Sequence, residues 1–428
     1  MLVAAGLLVT ALVATRGPVG TGAAGGSTGP TLERAEVRRR PVVAHEPIDR
    51  EAVAVPAAAG RAVPAASSDA DLAALFAALA AAAPADGAPP PASPGPEVER
   101  PPPRPDRAAP PAAPGSAPPV VSEGSEAVHR DDFPDPYVMQ ANGSWWAFST
   151  QVGVTAIPTL RSDDLVHWEW VGDALQAAPA WAEWGHHWAP SVLRRGSTFV
   201  MYYTTRDRAT GLQCTSRAVS LLPQGPYVDR TDGPMICQTR RGGSIDPSPF
   251  VDADGRAYLL WKSEGTLRGE PTRIWGQRLS GDGQRLLGER RELLHRALDW
   301  EFPIIEGPTM ALVGGRHHLL YSGNRWESAD YAVGHAVCDS VLGPCRRTSA
   351  LPILSTRRGA AGPGGQELLA MPDGGLALVH HAWDPAAVGY PHGARMLHVA
   401  TVHVEGDRMA IGGPWGRRAS SGLLDLGG

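Results

Sequence analysis

The sequence predicts an all-β chain, a five-bladed β-propeller preceded by a disordered Pro/Ala-rich N-terminal region. Three observations carry this expectation. All 13 Trp and all 8 Tyr lie at or beyond Tyr137, and Phe76 is the sole Phe, Trp or Tyr before Phe133. A core needs large apolar side chains, so the folded domain is placed at residues 129–417. From His129 onward the chain reads as short β-rich runs punctuated by turn residues, with no long amphipathic helical pattern. Finally, an extended run beside a proline recurs five times, starting at Asp135, Ala189, Asp246, Glu306 and Gly362, with spacings of 54, 57, 60 and 56 residues. Regular repeats of this length point to radial repetition of four-stranded blades. A β-sandwich also has periodic turns, but five matched units fit it less well.

Before the repeats the chain offers little to pack. Leu2–Ala14 is an apolar or small run with no Lys or Arg before it. It is short for a spanning helix and suits a secretory signal or a weak membrane anchor over residues 1–15. Residues 16–124 read as a linker, with fourteen prolines between Gly87 and Pro119 that favour extended spacing over packing. One short helix is predicted at 69–83, where Leu72, Leu75, Phe76 and Leu79 share a face. Residues 418–428 form a tail. The net charge of −5 gives no basic surface for nucleic acid, and nothing marks a stable protein partner.

Each repeat pairs its first run with a second strand across a turn. Asp135–Val138 is followed by Asn142-Gly143 and Ser144–Thr150. Ala189–Val192 is followed by Arg195-Gly196 and Ser197–Thr205. Asp246–Phe250 is followed by Asp252-Ala-Asp-Gly255 and Arg256–Lys262, where Asp and Gly supply the turn chemistry. The fourth unit has Gly314-Gly315 and Arg316–Ser322, and the fifth ends on Leu376–Trp383. Gly225-Pro226-Tyr227 and Gly343-Pro344-Cys345 echo one another late in the second and fourth units. Pairing Cys214 with Cys237 and Cys338 with Cys345 keeps each bridge inside one blade. Such bridges belong to an oxidising compartment, so the expected location is secreted or cell-surface, with the N-terminus as a membrane tether. The spacing does not suit zinc.

In a propeller the first strand of each blade lines the central channel. That places Asp135, Asp246 and Glu306 at matched positions around one funnel. Glu306 follows Ile304-Ile305, an apolar setting that raises a carboxyl pKa. One ionised carboxylate facing one protonated carboxyl is the requirement of glycoside hydrolysis. Glu301, between Trp300 and Phe302, is a rival for the acid.

Phe133-Pro-Asp-Pro, His187-Trp-Ala-Pro-Ser-Val192, Ser244-Ile-Asp-Pro-Ser-Pro-Phe250 and Ile305-Glu-Gly-Pro-Thr309 together resemble glycoside hydrolase family 43. That family contains five-bladed propeller enzymes acting on arabinose- and xylose-containing glycans. The resemblance implies an inverting mechanism, with Asp135 as general base, Glu306 as general acid and Asp246 tuning and orienting Glu306. An inverting pair stands about 6.5–9.5 Å apart to admit water. Arabinofuranosidase is ranked ahead of xylosidase. A sugar-binding propeller without catalysis is the alternative, against which the three carboxylates count.

Sugar faces need flat apolar surfaces with fixed polar groups. Trp188 is expected at the sugar site, and Phe133 is a weaker candidate. Arg395 resembles the family's late arginine near the acid. His186, His187, His380 and His381 come in pairs, and His381 is taken as a substrate contact. Many relatives carry a His near a metal or water in the channel. Here the corresponding stretch is Gly364-Gly365-Gln366-Glu367. No cofactor is required, and for a structural calcium ion Gln366 is only a weak neutral candidate ligand. Ser191 stands where an acid is common.

Overall fold

Alternating apolar residues and closely spaced turns fold into antiparallel meanders, each too small to bury its own faces. The computed structural model describes residues 125–372 and 374–416; the predicted leader, linker, 69–83 helix and C-terminal tail lie outside the described residues. A short strand, β1 (Ala127–His129), comes first. Blade one is β2 (Tyr137–Ala141), β3 (Ser144–Phe148), β4 (Pro158–Ser162) and β5 (Glu169–Asp173). Blade two is β6 (Ala182–Arg195), β7 (Thr198–Asp207) and β8 (Gln213–Ser220). Blade three is β9 (Ser244–Val251), β10 (Ala257–Ser263), β11 (Arg273–Leu279) and β12 (Leu286–His295). Blade four is β13 (Ile305–Val313), β14 (Arg316–Gly323), β15 (Ala332–Cys338) and β16 (Cys345–Arg347). Blade five holds β17 (Ala361–Ala370), β18 (Leu376–Trp383), β19 (Arg395–Glu405) and β20 (Arg408–Pro414). The chain is a five-bladed β-propeller.

Five apolar clusters lie between neighbouring blades. Phe148 and Met201 meet between blades one and two, Tyr202 and Trp261 between two and three, and Leu260 and Leu319 between three and four. Leu320 and Leu378 join blades four and five, and Val379 and Val138 close the ring between five and one. The apolar burial that stabilises each sheet is therefore shared with its neighbour.

Two blades depart from a plain four-stranded meander. Blade two has three strands. Its outer position is reduced to isolated pairings of Val219 with Val228 and Thr215 with Ile236. Asp229 explains the break. Its carboxylate turns inward to accept hydrogen bonds from Tyr203 Oη (2.8 Å) and Ser216 Oγ (2.5 Å), and from the Thr231 amide (2.8 Å). That Asx turn diverts the chain from the ladder. The Cys214–Cys237 disulfide fastens the same edge, and Cys338–Cys345 joins β15 to β16. In blade five both β1 and β20 pair with β19, Ala127 opposite His398 and Val402 opposite Ile411. The two ends of the domain thus share one outer edge.

The inner strands carry the feature that positions the site. In blades two to five, two residues oppose one on the second strand: Ala189-Pro190, Asp246-Pro247, Gly307-Pro308 and Gly365-Gln366. These are β-bulges, which re-aim side chains. Asp135 takes the same place ahead of β2. All five first positions have positive φ: Asp135 50°, Ala189 42°, Asp246 55°, Gly307 55° and Gly365 55°. This region is strained for side-chain-bearing residues. A side chain of the preceding blade satisfies each bulge amide. Ala189 N–H donates to Thr150 Oγ1 (2.8 Å), Asp246 N–H to Thr204 Oγ1 (3.2 Å) and Gly365 N–H to Ser322 Oγ (3.0 Å). Asp135 N–H donates to His381 Nδ1 (3.0 Å) and Gly307 N–H to Asp246 Oδ2 (2.9 Å).

This alignment corrects one expectation. Asp135 and Asp246 are equivalent, but Glu306 precedes its bulge by one residue and aligns with Ile245, Trp188 and Gly364. The fourth blade's bulge residue is a glycine, and its carboxylate arrives from the neighbouring position on a longer side chain.

Candidate active site

The bulges ring an open cavity of about 870 Å³, lined by Asp135, Trp188, Asp246, Lys262, Glu306 and Arg395 among others. The three predicted carboxylates therefore share one funnel.

Asp135 is held as an anion. Thr150 Oγ1 donates to its Oδ2 at 2.6 Å, and Arg395 Nη1 lies 3.3 Å from its Oδ1. Burial pushes its pKa up, but Arg395 and the Thr150 hydroxyl outweigh burial and hold it below the ordinary aspartate value. His381 is the third neighbour. Its Nδ1 accepts the Asp135 amide hydrogen, so the ring proton is on Nε2. Burial and the nearby guanidinium push the His381 pKa down to about 3, and the ring is neutral.

Glu306 and Asp246 form the opposite arm. Glu306 Oε1 accepts from Tyr331 Oη and Oε2 from Lys262 Nζ, both at 2.8 Å. The predicted apolar setting is thus incorrect. Strand alternation buries Ile305 in the core between blades three and four and turns Glu306 to a cation and a phenol. Asp246 accepts the Gly307 N–H. Burial first, and the Glu306 charge second, push the Asp246 pKa up to about 8, against the pull of Lys262.

Other predicted residues fall less evenly. Trp188 lines the funnel. Phe133 does not: it is 1% exposed, packs in the cluster between blades five and one, and meets the His129 ring edge-on. His381 is also fully buried, behind Asp135, where it stacks on Tyr331 with centroids 5.9 Å apart. It therefore supports the site rather than touching a sugar. Arg395 sits on Asp135, not beside Glu306, because β19 belongs to blade five, next to blade one. Its guanidinium carbon also lies 4.6 Å from the Trp326 ring centroid, a cation–π contact. Glu301 is no rival for the acid. It is completely buried, accepts the Ala297 and Leu298 amides and the Tyr321 hydroxyl, and pairs with Arg347 at 2.6 Å. His187 is buried against Trp184 and Tyr203. Buried His380 stacks on His398. Ser191 donates to the Pro247 carbonyl at 2.5 Å.

Gln366, the weak candidate metal ligand, is engaged by protein partners. Gln366 uses its amide to accept from Ser322 (2.8 Å) and donate to the Gly307 carbonyl (2.7 Å). Among the described residues no group of three or more His, Cys, Asp or Glu could hold an ion.

Sequence reasoning missed Lys262, Tyr331, Trp326 and Tyr390, all on the funnel wall. Lys262 left a signal, a lone charge ending the apolar run Tyr258–Trp261. The others come from the loops between the second and third strands of blades four and five, which the first-strand motifs do not reach.

A propeller whose funnel sets an anionic Asp135 against a protonated Asp246 and a nearby Glu306 has the complement of carboxyl groups that glycoside hydrolysis uses. Residues 125–408 match the model of glycosyl hydrolases family 43, and the chain belongs to that family. A Xylanibacter ruminicola protein named provisionally as a beta-xylosidase is 26% identical over 297 residues, covering 67% of this chain and 51% of the relative. The extracellular exo-α-(1→5)-L-arabinofuranosidase ArbA of Cellvibrio japonicus is 27% identical over 144 residues, covering 31% of this chain and 41% of the relative. The chain thus spans about half the length, or less, of these relatives. The crystal structure of a thermostable family-43 glycoside hydrolase superposes with a TM-score of 0.59 at 27% identity, covering 69% of this chain and 96% of that one.

Proposed function

We propose that this protein is an inverting glycoside hydrolase that releases arabinofuranosyl or xylosyl residues from plant-type glycans. The observation that supports this most is the asymmetry of the funnel. Asp135 is kept ionised by Arg395 and Thr150, while burial and the neighbouring Glu306 charge keep a proton on Asp246 up to about pH 8. Asp135 deprotonates the attacking water. Glu306 protonates the leaving oxygen, and Asp246 adjusts its charge and orientation. Choosing Glu306 within the pair rests on its match to the family's acid motif. Trp188 offers an apolar face to a sugar ring, and no cofactor enters the reaction.

Arabinofuranoside cleavage is ranked first, and the named relatives include both an arabinofuranosidase and a provisional xylosidase. The protein acts outside the cytoplasm, a reading supported by its two disulfides and by the extracellular relative. Hydrolysis of aryl arabinofuranoside and aryl xyloside tests the reading. Wild type cleaves at least one, with inversion seen by NMR of the first-formed anomer. Asp135→Ala loses about 100-fold or more, as does Glu306→Gln on a poor leaving group. Oligosaccharide binding without cleavage by wild type leaves a binding module instead.

A further inference from the structure

The ring of bulge amides has one irregular station. Opposite the residue before each bulge stand Thr150, Thr204, Lys262, Ser322 and His381. Four of these accept the next blade's bulge N–H. Lys262 has three donors and no acceptor, so the amide of Gly307 goes to Asp246 instead. The lysine is 2% exposed, and its Nζ lies 2.8 Å from Glu306 Oε2 and 3.4 Å from Glu264 Oε1. A buried ammonium is costly unless paired, and here the partner is the proposed acid.

We propose that Lys262 is a positioning residue: its ammonium fixes the Glu306 carboxylate at the funnel and balances the charge of the Asp246–Glu306 pair. The proposal rests on Glu306 being the acid. The charged and titratable groups facing the pair are Lys262, Glu264, Asp135 and Tyr331. Lys262 is the sole cation among them, so it favours the ionised forms. Without it Asp246 holds its proton to higher pH. Glu306 also loses one of its two anchors, which penalises poor leaving groups most.

The experiment measures kcat/KM against pH for wild type, Lys262→Met and Lys262→Arg, on aryl glycosides of good and poor leaving group. In Lys262→Met the alkaline limb moves up by about one pH unit or more, and kcat falls further on the poor leaving group. Lys262→Arg restores the limb. Lys262→Gln keeps a donor without charge and replaces the methionine variant if that fails to fold. An unmoved or lowered limb, with activity lost evenly at all pH, overturns the proposal and leaves the glycosidase reading intact. If wild type hydrolyses none of the substrates, the glycosidase reading fails separately. Carboxyl 13C NMR then decides: an unchanged titration midpoint without the lysine charge overturns the proposal.

Discussion

Arg395 links three features of the site at the scale of one side chain. It charges against Asp135, stacks on Trp326, and approaches Tyr390 Oη at 3.3 Å. Its guanidinium lowers the Asp135 pKa, so removing it raises that pKa. Asp135 as a base works only when ionised, so the acid limb of kcat/KM moves upward. For Arg395→Met a rise of about one pH unit or more is expected, and an unchanged limb separates Arg395 from Asp135. The sequence showed the chemistry at this scale wherever a residue sat in a first-strand motif. Asp135, Asp246, Glu306 and Trp188 were legible because proline or glycine beside them marks the bulge. Phe133 and His381 were misplaced because a motif does not say which side of a strand faces the channel. Glu301 looked equivalent to Glu306 in apolar context. What separates them is Arg347, which arrives from β16 and is invisible locally.

Strands repeat more faithfully than the residues within them. The five units were readable from turn chemistry and proline placement. The one-residue offset of Glu306 was not, since a bulge inserts a residue without changing the pattern around it. The loss of blade two's outer strand was also hidden. It depends on Asp229 meeting Tyr203 and Ser216, which belong to other strands. That weakened edge makes its disulfide the more consequential one. The 214–237 bridge spans 23 residues and the 338–345 bridge spans 7. On chain-entropy grounds, removing the longer by a Cys214→Ser/Cys237→Ser pair costs about 3 kcal/mol, roughly 1 kcal/mol more than removing the shorter. Denaturant unfolding of the two double variants measures the difference. Equal losses would mean that the interrupted edge does not depend on its bridge.

The whole ring is closed by segments from opposite ends of the domain. The start read from aromatic density, residue 129, passes over Ala127 and Val128 of β1, which carry no large ring to announce them. Yet β1 covers part of the β19 edge, and Ser125 Oγ bonds His398 Nδ1 at 2.8 Å. A chain beginning at residue 131 should melt several degrees lower and associate through the uncovered edge. Thermal unfolding and light scattering measure both effects, and an unchanged melting temperature and particle mass would show that β20 alone suffices. The bulge ring adds a sense of rotation to this closed disc. Every amide looks back to the blade before it, and none looks forward. Thr204 therefore governs the backbone that aims Asp246, one blade downstream, although Thr204 is itself buried. Asp135 and Asp246 thus each have a buried adjuster in the previous blade, His381 and Thr204, so either aspartate can be retuned without touching the residues that meet the sugar.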